Sequence, residues 1–149
     1  MEQTGFVAYL LLKYLAYSVW CWVDLKKQKG GRRGLWVPAV GWGFLRLAMG
    51  FFFGIGIYLL STSVACALPS ELPAREVFTY LFTYVPVRWI EWAIMDVLIS
   101  SRRESLKSFL LGSDAFSRKW RLGGIVLSCL ADGPMMAMMG GFPIGRFMC

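Results

Sequence analysis

Apolar residues along this chain gather into four runs, at about 6–23, 36–60, 77–99 and 122–139. Each approaches the ~20 residues that an α-helix needs to cross ~30 Å of hydrocarbon. The pattern predicts an all-α fold, a single polytopic domain of four transmembrane helices. Two of the intervening stretches, 24–35 and 100–121, are basic; the third, 61–76, is polar with no basic cluster.

The runs are punctuated as membrane helices are. Trp20 and Trp22 close the first, and Trp36 and Pro38 open the second, where proline is tolerated in a first turn. Pro86 falls inside the third run and is expected to kink it. Asp132-Gly133-Pro134 interrupts the fourth, which therefore reads as a broken or re-entrant span. Within 100–121, Leu106, Phe109, Leu110, Phe116 and Trp120 recur at roughly helical spacing among arginines and lysines. That is an amphipathic, interfacial segment suited to the headgroup layer. Gly112-Ser113-Asp114 divides it, ending one helical piece and capping another.

Composition agrees with a lipid solvent. The 149 residues are 57% hydrophobic, with mean hydropathy +0.54. Soluble domains hold roughly 45–50% apolar residues, and a small soluble fold cannot bury the surplus. The formal charge of +7 is confined to the two basic stretches, whereas a nucleic-acid footprint is a continuous basic face. No nucleic-acid partner is expected. Of sixteen Lys and Arg, five lie in the first basic stretch and six in the second; Arg75 and Arg146 lie opposite, and three are in the runs. The positive-inside rule then puts both basic loops in the cytoplasm and both termini outside. No Lys or Arg precedes the first run, so a removable signal peptide is not expected. The localisation expected is a bacterial inner membrane or an equivalent energy-transducing membrane.

Histidine is absent, which excludes His-ligated haem or zinc and His-based nucleophilic catalysis. No cofactor and no metal are expected. Cys21, Cys66, Cys129 and Cys149 form no CxxC pair. Cys66 and Cys149 fall on one side of the layout, which permits a bridge; thiols packed as small hydrophobes are the other reading. Met135, Met136, Met138 and Met139 beside Cys129 have the softness that suits Cu(I), although methionines also serve as flexible packing.

The candidate functional residues are the charges inside the runs. Lys13, Arg46, Arg88, Glu91, Asp96 and Asp132 form a neutral set of three cations and three anions. Each costs about 2.5–3.5 kcal/mol at a helix centre facing lipid, so they must turn inward and pair. Lys13 is one turn from Tyr9 and Tyr17; Arg88 and Glu91 are spaced i, i+3 and can pair locally. Asp96 shares a face with Trp89 and Trp92. Lys13, Arg46, Arg88 and Asp132, each near mid-span, are expected to share one layer. Gly43, Gly50 and Gly54 share a stripe with Arg46, and Gly50–Gly54 is a GxxxG that allows close helix packing. Arg88-Trp89-Ile90-Glu91-Trp92 resembles, over five residues, the third-helix motif of microbial rhodopsins. That family also needs a retinal-linking lysine in its last helix, and the later lysines here, Lys107 and Lys119, fall in the basic stretch.

Two functional classes follow from these charges. If they staple the bundle, the chain is a small non-catalytic multi-pass subunit or assembly partner of a larger membrane complex. Its partners are then the lipid bilayer and other membrane subunits or further copies of itself. If they carry charge, the chain is a proton, ion or small-molecule conduit, with Glu91 and Asp132 titrating. An intramembrane enzyme built on that carboxylate pair is a third class, but no nucleophile or motif accompanies it, and no catalytic residue is assigned.

Overall fold

The computed structural model describes residues 3–30, 34–67, 75–100 and 105–139, and over these the chain is helical, with no strand. Helix α1 is Gln3–Gln28, α2 Trp36–Ala67, α3 Arg75–Ser100, α4 Leu106–Leu111 and α5 Ala115–Met139. At 1.5 Å per residue the four long helices run about 38–48 Å, more than the ~30 Å of a hydrocarbon core. Two stretches, Phe6–Gln28 and Trp36–Val64, are both long and apolar enough to cross a membrane. Helices α3 and α5 also have the length, and their apolar runs carry Arg88, Glu91 and Asp96 on α3 and Asp132 on α5.

The helices outrun the apolar runs for local reasons. Lys26 and Lys27 fall in the last turn of α1, where cations favour the carbonyl end of the helix. Helix α2 continues past Leu60, and there Ser61, Thr62 and Ser63 satisfy their hydroxyls on carbonyls of Tyr58 and Leu59 at 2.9–3.0 Å. Helix α5 begins seven residues before its apolar run. Asp114 caps it by accepting from the Ser117 amide at 2.7 Å, after Gly112 has ended α4 at φ 84°. The predicted break at Asp132-Gly133-Pro134 does not occur, since α5 runs through Pro134 to Met139. Helix α3 is likewise continuous through Pro86.

The long helices close a ring: α1 packs on α2, α2 on α3, α3 on α5 and α5 on α1, with α4 set against α3. Two glycine contacts fix the spacing. A Cβ on Gly43 would fall 2.8–2.9 Å from the Ser18 backbone of α1, so α1 and α2 meet main chain to main chain. Gly124 of α5 lies under the Trp92 indole, where a Cβ would sit 2.4 Å from the ring. Gly50 and Gly54 are buried too. Gly43→Ala is expected to cost about 1–3 kcal/mol by overpacking. Thermal unfolding in detergent should show that loss, and Ser18→Ala should not relieve it because the clash includes backbone.

The core has two parts. Tyr17, Cys21, Leu25, Trp92, Met95 and Trp120 are buried together toward the end formed by the basic loops; this is the inner end below. Ile57, Tyr80, Tyr84 and Val87 pack toward the other end. Trp20 and Trp120 lock α1 to α5 reciprocally, each indole N–H donating to the other's carbonyl at 3.0 and 3.1 Å. Trp22 stacks on Trp36 at 5.0 Å, joining α1 to α2 at the same level.

A buried ionic core as the candidate functional site

All six sequence-predicted charges are buried; of the four expected in one layer, Lys13, Arg88 and Asp132 meet, while Arg46 pairs with Glu91 one turn away and Asp96 lies on a third level. Farthest from the basic loops, the Asp132 carboxylate of α5 is held by three donors. Its Oδ1 meets Lys13 Nζ at 2.7 Å and the Tyr9 hydroxyl at 2.8 Å. Its Oδ2 meets Arg88. Lys13 also donates to the Tyr9 oxygen at 2.6 Å. One carboxylate thus joins α1, α3 and α5.

One turn of α3 nearer the inner end, Arg46 of α2 pairs with Glu91 at 2.5 Å. Its guanidinium is 5.0 Å from both the Tyr17 and Trp92 rings, so aromatic faces flank the cation. This arrangement leaves Arg46 Nε and Nη1 and Glu91 Oε1 buried without a hydrogen-bond partner among the described residues.

The innermost level was not legible as a pair. Asp96 accepts from Arg121 Nε at 2.9 Å and lies 2.8 Å from Nη2, and the Ser117 hydroxyl also donates to it. Arg121 Nη1 reaches on to the Phe109 carbonyl of α4 at 2.5 Å. The charge pattern groups Arg121 with the basic loop, yet it is fully buried. Its signal was present: Ser117, Arg121, Ser128 and Asp132 fall at steps of four, seven and four. That is one stripe of α5, and all four are buried.

The local Arg88–Glu91 pair expected from i, i+3 spacing does not form. Each turns to another helix, since a local pair would leave Arg46 buried without a counter-ion. Among the described residues the buried cations are Lys13, Arg46, Arg88 and Arg121, and the buried anions Asp24, Glu91, Asp96 and Asp132. The interior is therefore formally neutral overall.

The interfacial assignments divide. Leu106 and Leu110 are exposed on α4 and Phe109 is half-buried. Phe116 and Trp120 belong to α5 and face inward: Trp120 is buried edge-on to Trp92. Phe116 packs against the core with Lys27 Nζ 3.3 Å from its ring centroid. Once α5 starts at Ala115, both residues sit on its bundle-facing side.

Two cavities adjoin the core. A polar one of about 210 Å³ opens at the inner end among Asp24, Gln28, Asp96, Asp114 and Ser117. An apolar groove of about 330 Å³ lies between α1 and α2, lined by Phe6, Tyr9, Leu10, Phe44, Leu47 and Phe51. Among the described residues no three His, Cys, Asp or Glu side chains gather as a metal site, and Cys21, Cys66 and Cys129 are free thiols. Cys149, Arg146 and the side chains of Met135–Met139 lie outside what is described. No family model, curated protein or solved structure matches the chain.

Proposed function

We propose that the chain crosses a bilayer four times, with both basic loops on the cytoplasmic side and both termini outside. We further propose that it serves as a non-catalytic subunit or assembly partner of a larger membrane complex. One observation carries the reading. Among the described residues from the inner boundary outward, every exposed side chain is apolar except Thr62 and Ser63, whose hydroxyls are taken by α2 carbonyls, while the charges of the same stretches are turned inward and paired. On α3 the exposed residues are Val77, Phe78, Leu81, Phe82, Pro86, Ile90 and Leu98; on α5, Leu122, Val126, Leu130 and Pro134. These two helices carry four of the six sequence-predicted charges, and Arg88, Glu91 and Asp132 are only 1–2% exposed. A soluble bundle has the opposite polarity, with charges outside. Lipid accepts this one.

The tryptophans support the same boundary. Trp20, Trp22, Trp36, Trp92 and Trp120 cluster at the inner end, and the exposed Lys26 ammonium sits 4.9 Å over the Trp22 ring. Aromatic rings and lysine stems are the usual furniture of that interface.

A structural role suits how the ions are held. Asp132 is fixed by three donors, and the two cavities described above lie at the inner end and on the α1–α2 flank. The flank groove offers a neighbouring membrane protein a recess floored by Leu47 and edged by Phe44 and Phe51. A conduit is the second reading, favoured by the unpartnered atoms of Arg46 and Glu91, which have capacity for water.

Extraction in mild detergent followed by mass spectrometry tests the subunit reading. A stoichiometric second polypeptide is expected. A homogeneous assembly of this chain alone that conducts protons in liposomes, and stops doing so on Glu91→Gln, would establish the conduit instead.

A further inference from the structure

The inner end of the bundle presents a surface that neither water nor the paired core explains. Helix α4 has only six residues, too few to persist alone, yet it is held firmly. Ser105 caps its start by accepting from the Ser108 amide at 3.2 Å, and Gly112 closes its end. Its last carbonyls are taken by the bundle: Phe109 by Arg121 at 2.5 Å and Leu110 by the Trp89 indole at 2.7 Å. Trp89 lies about 16 Å of helix before the end of α3 at Ser100. Helix α4 therefore lies alongside the bundle rather than beyond its end.

So placed, α4 turns three leucines outward. Leu106 is 76% exposed, Leu111 58% and Leu110 49%. The exposed charges of the inner end are basic: Lys107 on α4, Arg118 and Lys119 on the first turns of α5, and Lys26, Lys27 and Lys29 ending α1. The one exposed carboxylate there among the described residues, Asp114, is engaged in capping α5. Leucines that need hydrocarbon beside cations that need anions describe an amphiphile.

We propose that α4 and the first turns of α5 form a prebuilt seat for anionic phospholipid of the inner leaflet. Leu106, Leu110 and Leu111 enter the acyl boundary, and Lys107, Arg118 and Lys119 meet the phosphates. This rests on the four-span reading above. An acidic protein segment would satisfy the charges but leave the leucines without hydrocarbon. Lipid satisfies both. Arg121 supplies the rigidity, since one guanidinium ties the α4 carbonyl to Asp96 in the core.

The test is lipid retention. Purified protein is placed in nanodiscs of equal parts phosphatidylcholine and phosphatidylglycerol, and the retained lipid is read by native mass spectrometry. Phosphatidylglycerol should be enriched, less so as ionic strength rises. Neutralising Lys107→Gln, Arg118→Gln and Lys119→Gln should lower the enrichment by up to roughly fivefold per charge. Equal retention of the two lipids, or enrichment unchanged by both salt and the triple variant, overturns the proposal. Loss of a copurifying polypeptide in the triple variant, with the lipid ratio unchanged, also overturns it and assigns the face to a protein. Alkaline carbonate extraction separates the two levels of failure. Chain released as soluble protein sinks the membrane reading, whereas chain that stays inserted without lipid preference sinks the seat alone.

Discussion

Asp132→Ala is expected to be among the most damaging single substitutions in the bundle, at about 3–5 kcal/mol. Among the described residues its carboxylate is the only anion at its level, facing Lys13 and Arg88 together. Removing it leaves two buried cations repelling each other with no counter-charge, and the Tyr9 hydroxyl loses its acceptor. Lys13→Met should be far milder, about 1 kcal/mol, because the remaining Arg88–Asp132 pair is neutral. The order of the two variants is the informative result, and thermal unfolding midpoints in one detergent would give it. A Lys13→Met protein less stable than Asp132→Ala would mean that the excess positive charge is neutralised by a group outside this cluster. Replacing the set together, Lys13→Met, Arg88→Met and Asp132→Leu, should recover much of the stability lost in Asp132→Ala.

The same cluster shows how far sequence alone could reach. Under the proposed four-span layout, that Lys13, Arg46, Arg88, Glu91, Asp96 and Asp132 turn inward follows from solvation alone, because lipid offers an ion nothing. Which ion meets which depends on helix rotation and neighbour order, and spacing along one helix does not encode these. The i, i+3 relation of Arg88 and Glu91 made a local pair available. The ring order, with α5 between α1 and α3, made the cross-helix pairs better, because they leave no ion at any level without a counter-ion. Gly43 was legible as a close-packing residue from its stripe, whereas its partner, Ser18, required the structure.

Arg121 and Trp120 mark a different limit. Both sit in a stretch rich in Arg and Lys, and their neighbours Arg118 and Lys119 are indeed exposed. A composition window averages over the turn and hides which face each residue takes. The exact start of α5, set by the Asp114 cap, decides the matter by placing Ser117, Trp120 and Arg121 on the bundle side. Capping chemistry at Gly112-Ser113-Asp114 was readable, and extending the helical stripe back from Asp132 would have recovered Arg121. The break expected at Asp132-Gly133-Pro134 failed for a related reason. Proline removes one donor and crowds one carbonyl, and a helix packed on two neighbours absorbs that.

The Arg46–Glu91 pair offers the second large effect and separates the two functional readings. Arg46→Met leaves Glu91 as an unpaired anion 1% exposed, and a loss of about 3–5 kcal/mol is expected. Glu91→Gln should cost less. The cation it strands keeps the faces of Tyr17 and Trp92 at 5.0 Å, and such contacts recover about 0.5–2 kcal/mol. Combining Arg46→Met with Glu91→Leu removes both ions and should bring stability close to that of the unaltered chain, giving a strongly favourable coupling in the double-mutant cycle. Additive losses would show that the two side chains are not one energetic unit. The double variant is also the sharpest functional probe, because it restores the scaffold while deleting the charges. A structural subunit should retain its copurifying partner in that background. A conduit that uses Glu91 should lose flux although the bundle is intact, since stability can be returned by leucine and methionine but proton exchange cannot.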